Sequence, residues 1–202
     1  MTRTVYYTAT SLDGFIATAD HSLDWLLSRE TDAGGPMGYD GFIAGVGAVA
    51  MGATTYLWVR EHEPEWAPER PTWVFTHRDL PLLPGVELRL TAEDPARVHA
   101  DLVTAAAGRD VWIVGGGDLA GQFADRGLLD EVVVAIDPVT LGGCAPLLPR
   151  RVELAVQDLA RNGEFACVRY TVERPPAPAC HPTGGRRRAD VPAGPRPDLR
   201  SA

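Results

Sequence analysis

A run of three glycines after an apolar segment is the feature of this sequence that most directly predicts a binding site. Residues 111–114 are Val-Trp-Ile-Val, and Gly115, Gly116 and Gly117 follow them before a helical pattern begins at Asp118. Glycine lets the backbone approach a ligand closely, and the free N–H groups of the following helix carry partial positive charge. The pattern therefore predicts a cradle for phosphate, which favours a nucleotide cofactor.

The cradle differs from the two common phosphate-binding motifs. It lacks the spaced glycines of the G-x-G-x-x-G fingerprint, and the chain contains no lysine, which the P-loop requires. A tight turn that needs positive φ is therefore the alternative to a binding loop at this point. Agreement with other segments of the chain favours the binding loop.

Composition and charge restrict the class of protein. The 202 residues suffice for one α/β domain, and 45% apolar with 23% charged residues is ordinary for a globular protein. No apolar run approaches the roughly 18 to 20 residues that span a bilayer, and no signal-peptide pattern opens the chain, so we expect a cytoplasmic protein without membrane contact. The net charge of −8 disfavours nucleic acid as a partner.

Neither a metal site nor a disulfide framework is predicted. Cys144, Cys167 and Cys180 form no C-x-x-C pair, and no histidine lies near them at the spacing typical of zinc sites. We therefore expect reduced thiols and no bound metal.

Alternating strand and helix patterns predict an α/β fold with a three-layer αβα arrangement. An alanine-rich helix is expected between Thr91, as its N-cap, and Gly108. Asn162-Gly163 between two alternating segments predicts a β-hairpin, so the mixed sheet should end in an antiparallel pair. The other strands are expected at 4–10, 45–51, 72–76, 86–90 and 131–136. This domain is expected to comprise residues 1–173, followed by a disordered Pro-, Gly- and Arg-rich tail over 174–202.

Four segments in order resemble the dihydrofolate-reductase-like superfamily, and specifically the C-terminal reductase domain of the bifunctional deaminase-reductase of riboflavin biosynthesis, RibD. The segments are Ser11 to Ala17 with Leu23 to Leu26, Val49 to Tyr56, Pro71 to Arg78, and Val111 to Gly121 with Pro138 to Gly143. The resemblance implies an enzyme like 5-amino-6-(5-phosphoribosylamino)uracil reductase, with NADPH as cofactor and NADH as the alternative. It also implies the homodimer that is usual in the family.

The resemblance assigns residues to the cofactor. The nicotinamide would lie against Ala9 and Ile16, and a non-proline cis peptide would join Gly115 to Gly116. Ala53 stands where the family often has an arginine that binds the 2′-phosphate of NADPH, a role that the guanidinium of Arg78 could take over. The residues implied for the cofactor are Ala9, Ile16, Gly52, Thr54, Thr55, Thr76, His77, Arg78, Val114, Gly115, Gly116, Gly117, Asp118 and Leu119.

Three carboxylates are candidates for the acid that protonates the substrate. Asp13, Asp24 and Glu30 lie in the segment that the resemblance places around the reacting end of the cofactor. Each also has a purely structural interpretation, since Asp13 precedes a glycine in a turn and Asp24 could cap a helix.

Aromatic residues are candidates for the walls of the substrate pocket. Phe15, Trp25 and Tyr56 would suit a planar heterocycle, with core packing as the alternative for each. Phe15 stands where riboflavin-pathway reductases commonly have a lysine, and Val134 stands near the position of the substrate-side threonine of folate reductases. The leading prediction is therefore a reductase with an unspecified heterocyclic or ribosylated substrate. The alternatives are a non-catalytic nucleotide-binding protein on the same fold and a dihydrofolate reductase.

Overall fold

The protein folds around a mostly parallel sheet with helices on both faces. The computed structural model describes residues 1–63, 69–82 and 87–174. Its strands are β1 (Thr4–Ser11), β2 (Phe15–Ala17), β3 (Val46–Gly52), β4 (Thr72–Phe75), β5 (Leu88–Thr91), β6 (Asp110–Val114), β7 (Glu131–Asp137), β8 (Ala145–Pro146), β9 (Leu154–Asn162) and β10 (Phe165–Val172). Its helices are α1 (Asp24–Leu27), α2 (Tyr39–Ala44), α3 (Ala53–His62), α4 (Pro95–Ala106) and α5 (Gly117–Asp125).

The strand order brings the first strand to the middle of the sheet. The eight strands run β5-β4-β3-β6-β1-β7-β10-β9, while β2 and β8 form a separate two-stranded sheet. The strands from β5 to β7 are parallel, and β10 is antiparallel to both β7 and β9. The predicted αβα fold with a C-terminal antiparallel hairpin is therefore confirmed.

Two apolar clusters attach the helices to opposite faces of the sheet. On one face, Leu102 of α4 and Phe123 of α5 pack against the sheet around Ile113. On the other, Tyr56 of α3 packs with Met51, and part of α2 covers the same cluster. Each such side chain contributes about 1.5–3 kcal/mol when it leaves water. Within the three described ranges, no helix is long and apolar enough to cross a bilayer.

The start of α4 differs from the prediction. The predicted N-cap, Thr91, is wrong, because this residue pairs with Phe75 as the last residue of β5. The N-cap is instead Asp94, whose side chain accepts a hydrogen bond from the Ala96 N–H at 2.9 Å. The helix begins one residue later with Pro95, a residue well suited to the first helical position.

Some sequence predictions fall on residues that the structure does not describe. These are Val86 at the start of the predicted fourth strand, Cys180, and residues 175–202 of the expected tail. Arg174 is the last described residue, and its guanidinium donates to Asp130 Oδ1 at 2.8 Å.

The predicted Asn-Gly hairpin also anchors a distant loop. The buried Asn162 side chain accepts a hydrogen bond from the Asp32 N–H and donates to the Asp32 carbonyl, both at 2.8 Å. It also donates to the carbonyl of Pro36 at 3.2 Å. The turn between β9 and β10 thereby holds the loop that leads into α2.

We expect Gly47→Ala to destabilise the fold. A Cβ at this position of β3 would lie 2.1 Å from the carbonyl oxygen of Ala106, so strand or helix backbone would have to move. The expected loss in the free energy of unfolding is about 1–3 kcal/mol, measured by urea denaturation. Gly41→Ala is the matched control, because no atom lies within 4 Å of a Cβ there. Equal stability of the two variants would contradict this account of the packing.

Candidate active site

The predicted cofactor residues meet where the parallel strands end. Met51 pairs with Val114 in the sheet, which places Gly52 beside Gly115 at the carboxyl ends of β3 and β6. A Cβ on Gly115 would lie 2.5 Å from Thr55 Oγ1, so the turn after β6 packs directly against the first turn of α3. In open α/β sheets this edge is where ligands bind.

Two helices begin at this edge without a side-chain cap. The N-cap residue of α3 is Gly52 and that of α5 is Gly116, and neither helix has a side chain bonded to its first N–H groups. Asp94 caps α4, whereas the short helices α1 and α2 also lack a side-chain cap, so the adjacency of α3 and α5 is what sets them apart. The first N–H groups of a helix lack intrahelical partners and attract anions. Two uncapped N-termini on neighbouring strands suit the two phosphates of a dinucleotide.

The three glycines turn the chain differently from the expected geometry. No cis peptide bond occurs in the described part of the chain, so the expected cis bond between Gly115 and Gly116 is wrong. Instead, these residues have φ values of +60° and +52°, which glycine adopts without steric cost. Gly117 is required for a different reason, since its Cβ would lie 2.2 Å from the Pro146 carbonyl oxygen.

Asp118 lies in the first turn of α5 and pairs with Arg150, which sequence analysis missed. Its carboxylate accepts hydrogen bonds from Gln122 Nε2 at 2.9 Å and from Arg150 Nη2 at 2.8 Å. These hydrogen bonds hold the pKa of Asp118 below its ordinary value, and the bond from Gln122 has the larger effect. Arg150 therefore offsets an acidic charge beside the cradle, and the contact depends on the loop after β8 folding back over α5. The side chain of Leu119, by contrast, is in the core and leaves only its backbone at the cradle.

The segment after β4 presents two exposed side chains. Thr76 is held by hydrogen bonds from its N–H to the Thr91 carbonyl at 2.7 Å and from the Arg78 N–H to its Oγ1 at 2.9 Å. His77 and Arg78 are exposed, and within the described ranges neither side chain has a hydrogen-bond partner. Both are available to a ligand at this strand end.

Small residues leave room above the centre of the sheet. Ala9 of β1 pairs with Ala135 of β7, and both are only partly buried although they lie on central strands. Ile16 of β2, which is also partly buried, follows β1 at the same edge. Cys167 pairs with Ala135 from the other side, and burial raises the pKa of its thiol, which keeps it protonated. We call Ala9 and Ala135 the floor of the site.

Asp13 is an acceptor of hydrogen bonds and has no proton to give. Ser11 Oγ donates to its carboxylate at 2.6 Å, and the N–H groups of Leu141 and Gly142 donate at 3.0 and 2.7 Å. These hydrogen bonds lower the pKa of Asp13 to about 2, and the bond from Ser11 has the largest effect. The carboxylate thus fastens the loop after β7 to the turn between β1 and β2.

The other two candidate acids are exposed. Asp24 lies in the first turn of α1, and Glu30 follows that helix. The backbone N–H of Glu30 donates to Glu164 Oε2 at 3.0 Å, so the hairpin turn fixes its position. Neither carboxylate accepts a hydrogen bond from the residues that the structure describes.

The three aromatic candidates have different environments. The prediction for Tyr56 is wrong, because the side chain is fully buried in the core and its hydroxyl donates to the Pro81 carbonyl at 2.7 Å. Phe15 is partly buried and pairs with Pro146 in the small sheet. Trp25 is partly buried on α1, and its Nε1 has no hydrogen-bond partner in the described structure. Phe15 and Trp25 therefore remain candidates for the substrate side.

Asp137 is a carboxylate at this edge that sequence analysis missed. It ends β7 beside Ser11 and is fully buried. Arg29 Nε lies 3.2 Å from its Oδ1 and donates to its Oδ2 at 3.3 Å, while Arg29 Nη1 donates to Glu164 at 3.3 Å. The only signal in the sequence was an aspartate directly after a buried strand, before Pro138.

A cavity lies at the other end of the sheet. It has a volume of about 250 Å³ between β1 and α2, and its charged lining includes Arg3, Asp110, Glu131 and Arg169. Arg3 binds Asp110 and Glu131, and Arg169 also binds Glu131, so these charges already satisfy each other. None of the predicted cofactor residues lines it. No group of three His, Cys, Asp or Glu side chains in the described ranges could hold a metal ion.

The stability of the protein should depend on Asp13 in acid. Because its pKa in the folded state lies below the ordinary 3.8, its contribution is complete above about pH 4 and is lost as the pH falls toward about 2. We expect the stability difference between the wild type and Asp13→Asn to be constant above about pH 4 and to shrink below it. Urea denaturation at a series of pH values measures this difference. The same difference across the whole range would contradict the assigned hydrogen bonds.

Comparison with known proteins shows the family of this chain. The RibD C-terminal domain family matches residues 60–162. The uncharacterized protein YwjB of Bacillus subtilis (strain 168) is 31% identical over 172 residues, which cover 83% of this chain and 97% of YwjB. The crystal structure of a Shewanella sp. PV-4 protein that is named for riboflavin biosynthesis superposes on this chain with a TM-score of 0.73 and 26% identity. That similarity covers 85% of this chain and 99% of the Shewanella chain.

The fold itself extends to dihydrofolate reductase. The enzyme from Enterococcus faecalis, solved in complex with NADP(H), is 15% identical with a TM-score of 0.52, and the match covers 85% of this chain and 97% of the enzyme. This likeness shows a shared dihydrofolate-reductase-like architecture. The family model, which matches residues 60–162 and so half of the chain, shows that the chain belongs to the RibD C-terminal domain family.

Proposed function

We propose that this protein is an NADPH-dependent reductase that transfers hydride to a small heterocyclic or ribosylated substrate. The observation that carries the proposal is the pair of uncapped, glycine-led helix N-termini of α3 and α5, beside the partly exposed floor of Ala9 and Ala135. Membership of the RibD C-terminal domain family supports the reaction class. The NADP(H) complex of the related fold supports the choice of cofactor.

The residues of the edge fit the parts of a dinucleotide. The pyrophosphate would accept hydrogen bonds from the first turns of α3 and α5, near Thr54 and Thr55, where a Cβ on Gly52 would meet no atom within 4 Å. Arg78 would bind the 2′-phosphate, and Ala9 would lie against the nicotinamide. Bound NADPH would supply the hydride.

The chain's own residues orient the reactants and shield them from water. The segment before α2 is held over the sheet by Asn162, and the loop after β7 is held by Asp13. None of the three candidate carboxylates is buried, and Asp13 is ionised at neutral pH, so the structure favours none of them as the proton donor. The protein thus contributes mainly binding and orientation, as is usual when a cofactor carries the chemistry.

One observation favours a second candidate, a nucleotide-binding protein on the same fold without catalysis. None of the three predicted acids has a hydrogen bond to Ala9 or Ala135 in the described structure. Asp13, which accepts the most hydrogen bonds of the three, holds no proton at neutral pH. NADPH binding without oxidation by any aminouracil or pterin would support this candidate. A cytoplasmic location and a homodimer stay predictions, and size-exclusion chromatography with light scattering tests the latter.

We expect Gly52→Ala to weaken NADPH binding without unfolding the protein. The added methyl group meets no protein atom within 4 Å, but it would occupy the space that the phosphates approach. The expected loss is at least about tenfold in Kd, or about 1.4 kcal/mol, measured by fluorescence titration. Gly41→Ala, equally open but located on α2, is the control and should bind normally. Unchanged affinity of Gly52→Ala would place the phosphates elsewhere.

Arg78→Ala should separate the two cofactors. A charge-assisted hydrogen bond to the 2′-phosphate contributes about 1.5–3 kcal/mol, so NADPH should bind about tenfold or more weakly. NADH lacks this phosphate, and its affinity should not change. Titration of wild type and variant with both nucleotides measures the effect. Equal losses for NADPH and NADH would remove Arg78 from 2′-phosphate recognition.

A further inference from the structure

The segment that follows β8 lies against the start of α5. A Cβ on Gly117 would lie 2.2 Å from the Pro146 carbonyl oxygen. One helical turn later, a Cβ on Gly121 would lie 2.7 Å from Arg150 Cγ. Residues four apart share one face of a helix, so the segment follows that face of α5. These close contacts bring the Arg150 side chain to the first turn of α5, which would hold the phosphates.

Arg150 bridges two acids at opposite ends of α5. Its Nη2 donates to Asp118 Oδ1 at 2.8 Å, and its Nε donates to Asp125 Oδ2 at 3.0 Å. Its Nη1 donates to the Pro149 carbonyl at 3.0 Å. With three acceptors, the guanidinium has a fixed orientation beside the first turn of the helix.

The contacts of Asp118 keep its carboxylate away from the free N–H groups of α5. Asp118 is the second residue of the helix, where an acidic side chain is attracted by the N-terminus and competes with an anionic ligand. Here Oδ1 accepts from Arg150, and Oδ2 accepts from Gln122 Nε2 at 2.9 Å. No side chain of the described structure bonds the first N–H groups of α5. These groups therefore stay available to a phosphate.

Arg150 also neutralises an acid that only one of the two adjacent helices contains. Asp118 is the acidic residue in the first turn of α5, whereas the first turn of α3 contains none. An unpaired carboxylate in this turn would repel a pyrophosphate, which carries negative charge itself. Of the two helix ends, it is therefore that of α5 that needs a compensating cation.

These contacts define a role for Arg150 that rests on the proposed reductase function. We propose that Arg150 is a positioning residue of the cofactor site, which holds and neutralises Asp118 so that the pyrophosphate can bind the N-terminus of α5. Arg150 acts through Asp118 and needs no contact with the cofactor. The affinity for pyrophosphate then depends on the pair rather than on either residue alone.

The test measures NADPH binding to full-length Arg150→Met by fluorescence titration. Methionine keeps an aliphatic side chain along Gly121 and removes the charge. We expect Kd to rise about fivefold or more at about 50 mM salt, and less at about 500 mM because salt screens the repulsion. Arg151→Met is the matched control. It removes the same charge at the next residue, whose side chain is 91% exposed and pairs with Glu153, so NADPH should bind normally.

Removal of the repelling charge should rescue the variant. In Arg150→Met with Asp118→Asn, asparagine keeps an acceptor for Gln122 but has no charge, so NADPH affinity should return to within about twofold of wild type. Asp118→Asn alone keeps Arg150 and should bind NADPH at least as tightly as wild type, which tests the role even where Arg150→Met does not fold. As a second ligand, 2′-AMP has the 2′-phosphate but no pyrophosphate. Its affinity should be the same in wild type and Arg150→Met.

Four results would overturn the role of Arg150. They are an unchanged NADPH affinity in Arg150→Met, an equal loss in Arg151→Met or for 2′-AMP, a loss that Asp118→Asn does not restore, and weaker binding by Asp118→Asn alone. NADPH binding by the wild type is measured first. Its absence refutes the proposed function, whereas normal binding followed by one of the four results refutes only the role of Arg150.

Discussion

The contact between Thr55 and Gly115 is the constraint on which the candidate site depends. It joins two strand-to-helix turns that are far apart in sequence, and a Cβ on Gly115 would lie 2.5 Å from the threonine hydroxyl. The contact is possible because β3 and β6 are neighbours in the sheet, with Met51 opposite Val114. As a result, the N-termini of α3 and α5 lie side by side. One uncapped helix end is common in proteins, but two adjacent ones form a surface that matches a pyrophosphate.

The C-terminal hairpin stabilises the opposite half of the site. Its strands extend the sheet beyond β7, and its turn contacts the loop between α1 and α2 through Asn162 and Glu164. Gly163 allows this close approach, since a Cβ there would lie 2.1 Å from the Glu30 carbonyl oxygen. The last segment of the fold therefore positions residues near the start of the chain.

The sequence was sufficient to predict the glycine turn between β6 and α5 and the hairpin, because both depend on local geometry. Glycines at 115–117 and Asn162-Gly163 have few structural alternatives, and the structure shows a strand-to-helix turn and an antiparallel pair at these positions. Tyr56 could not be assigned in the same way, because an aromatic residue on a helix can face the core or a ligand, and only tertiary packing decides between them. Asp137 and Arg150 were missed for a related reason. Each acts through a partner far away in sequence, and neither forms a motif.

The two halves of the site differ in how their charges are arranged. At the glycine turn, the free backbone N–H groups that begin α3 and α5 suit an anion, and Arg150 offsets the charge of Asp118. Beyond the floor, Arg29 pairs with the carboxylates of Asp137 and Glu164. A dinucleotide would therefore be oriented with its phosphates over the helix ends and its uncharged reacting ring toward the floor.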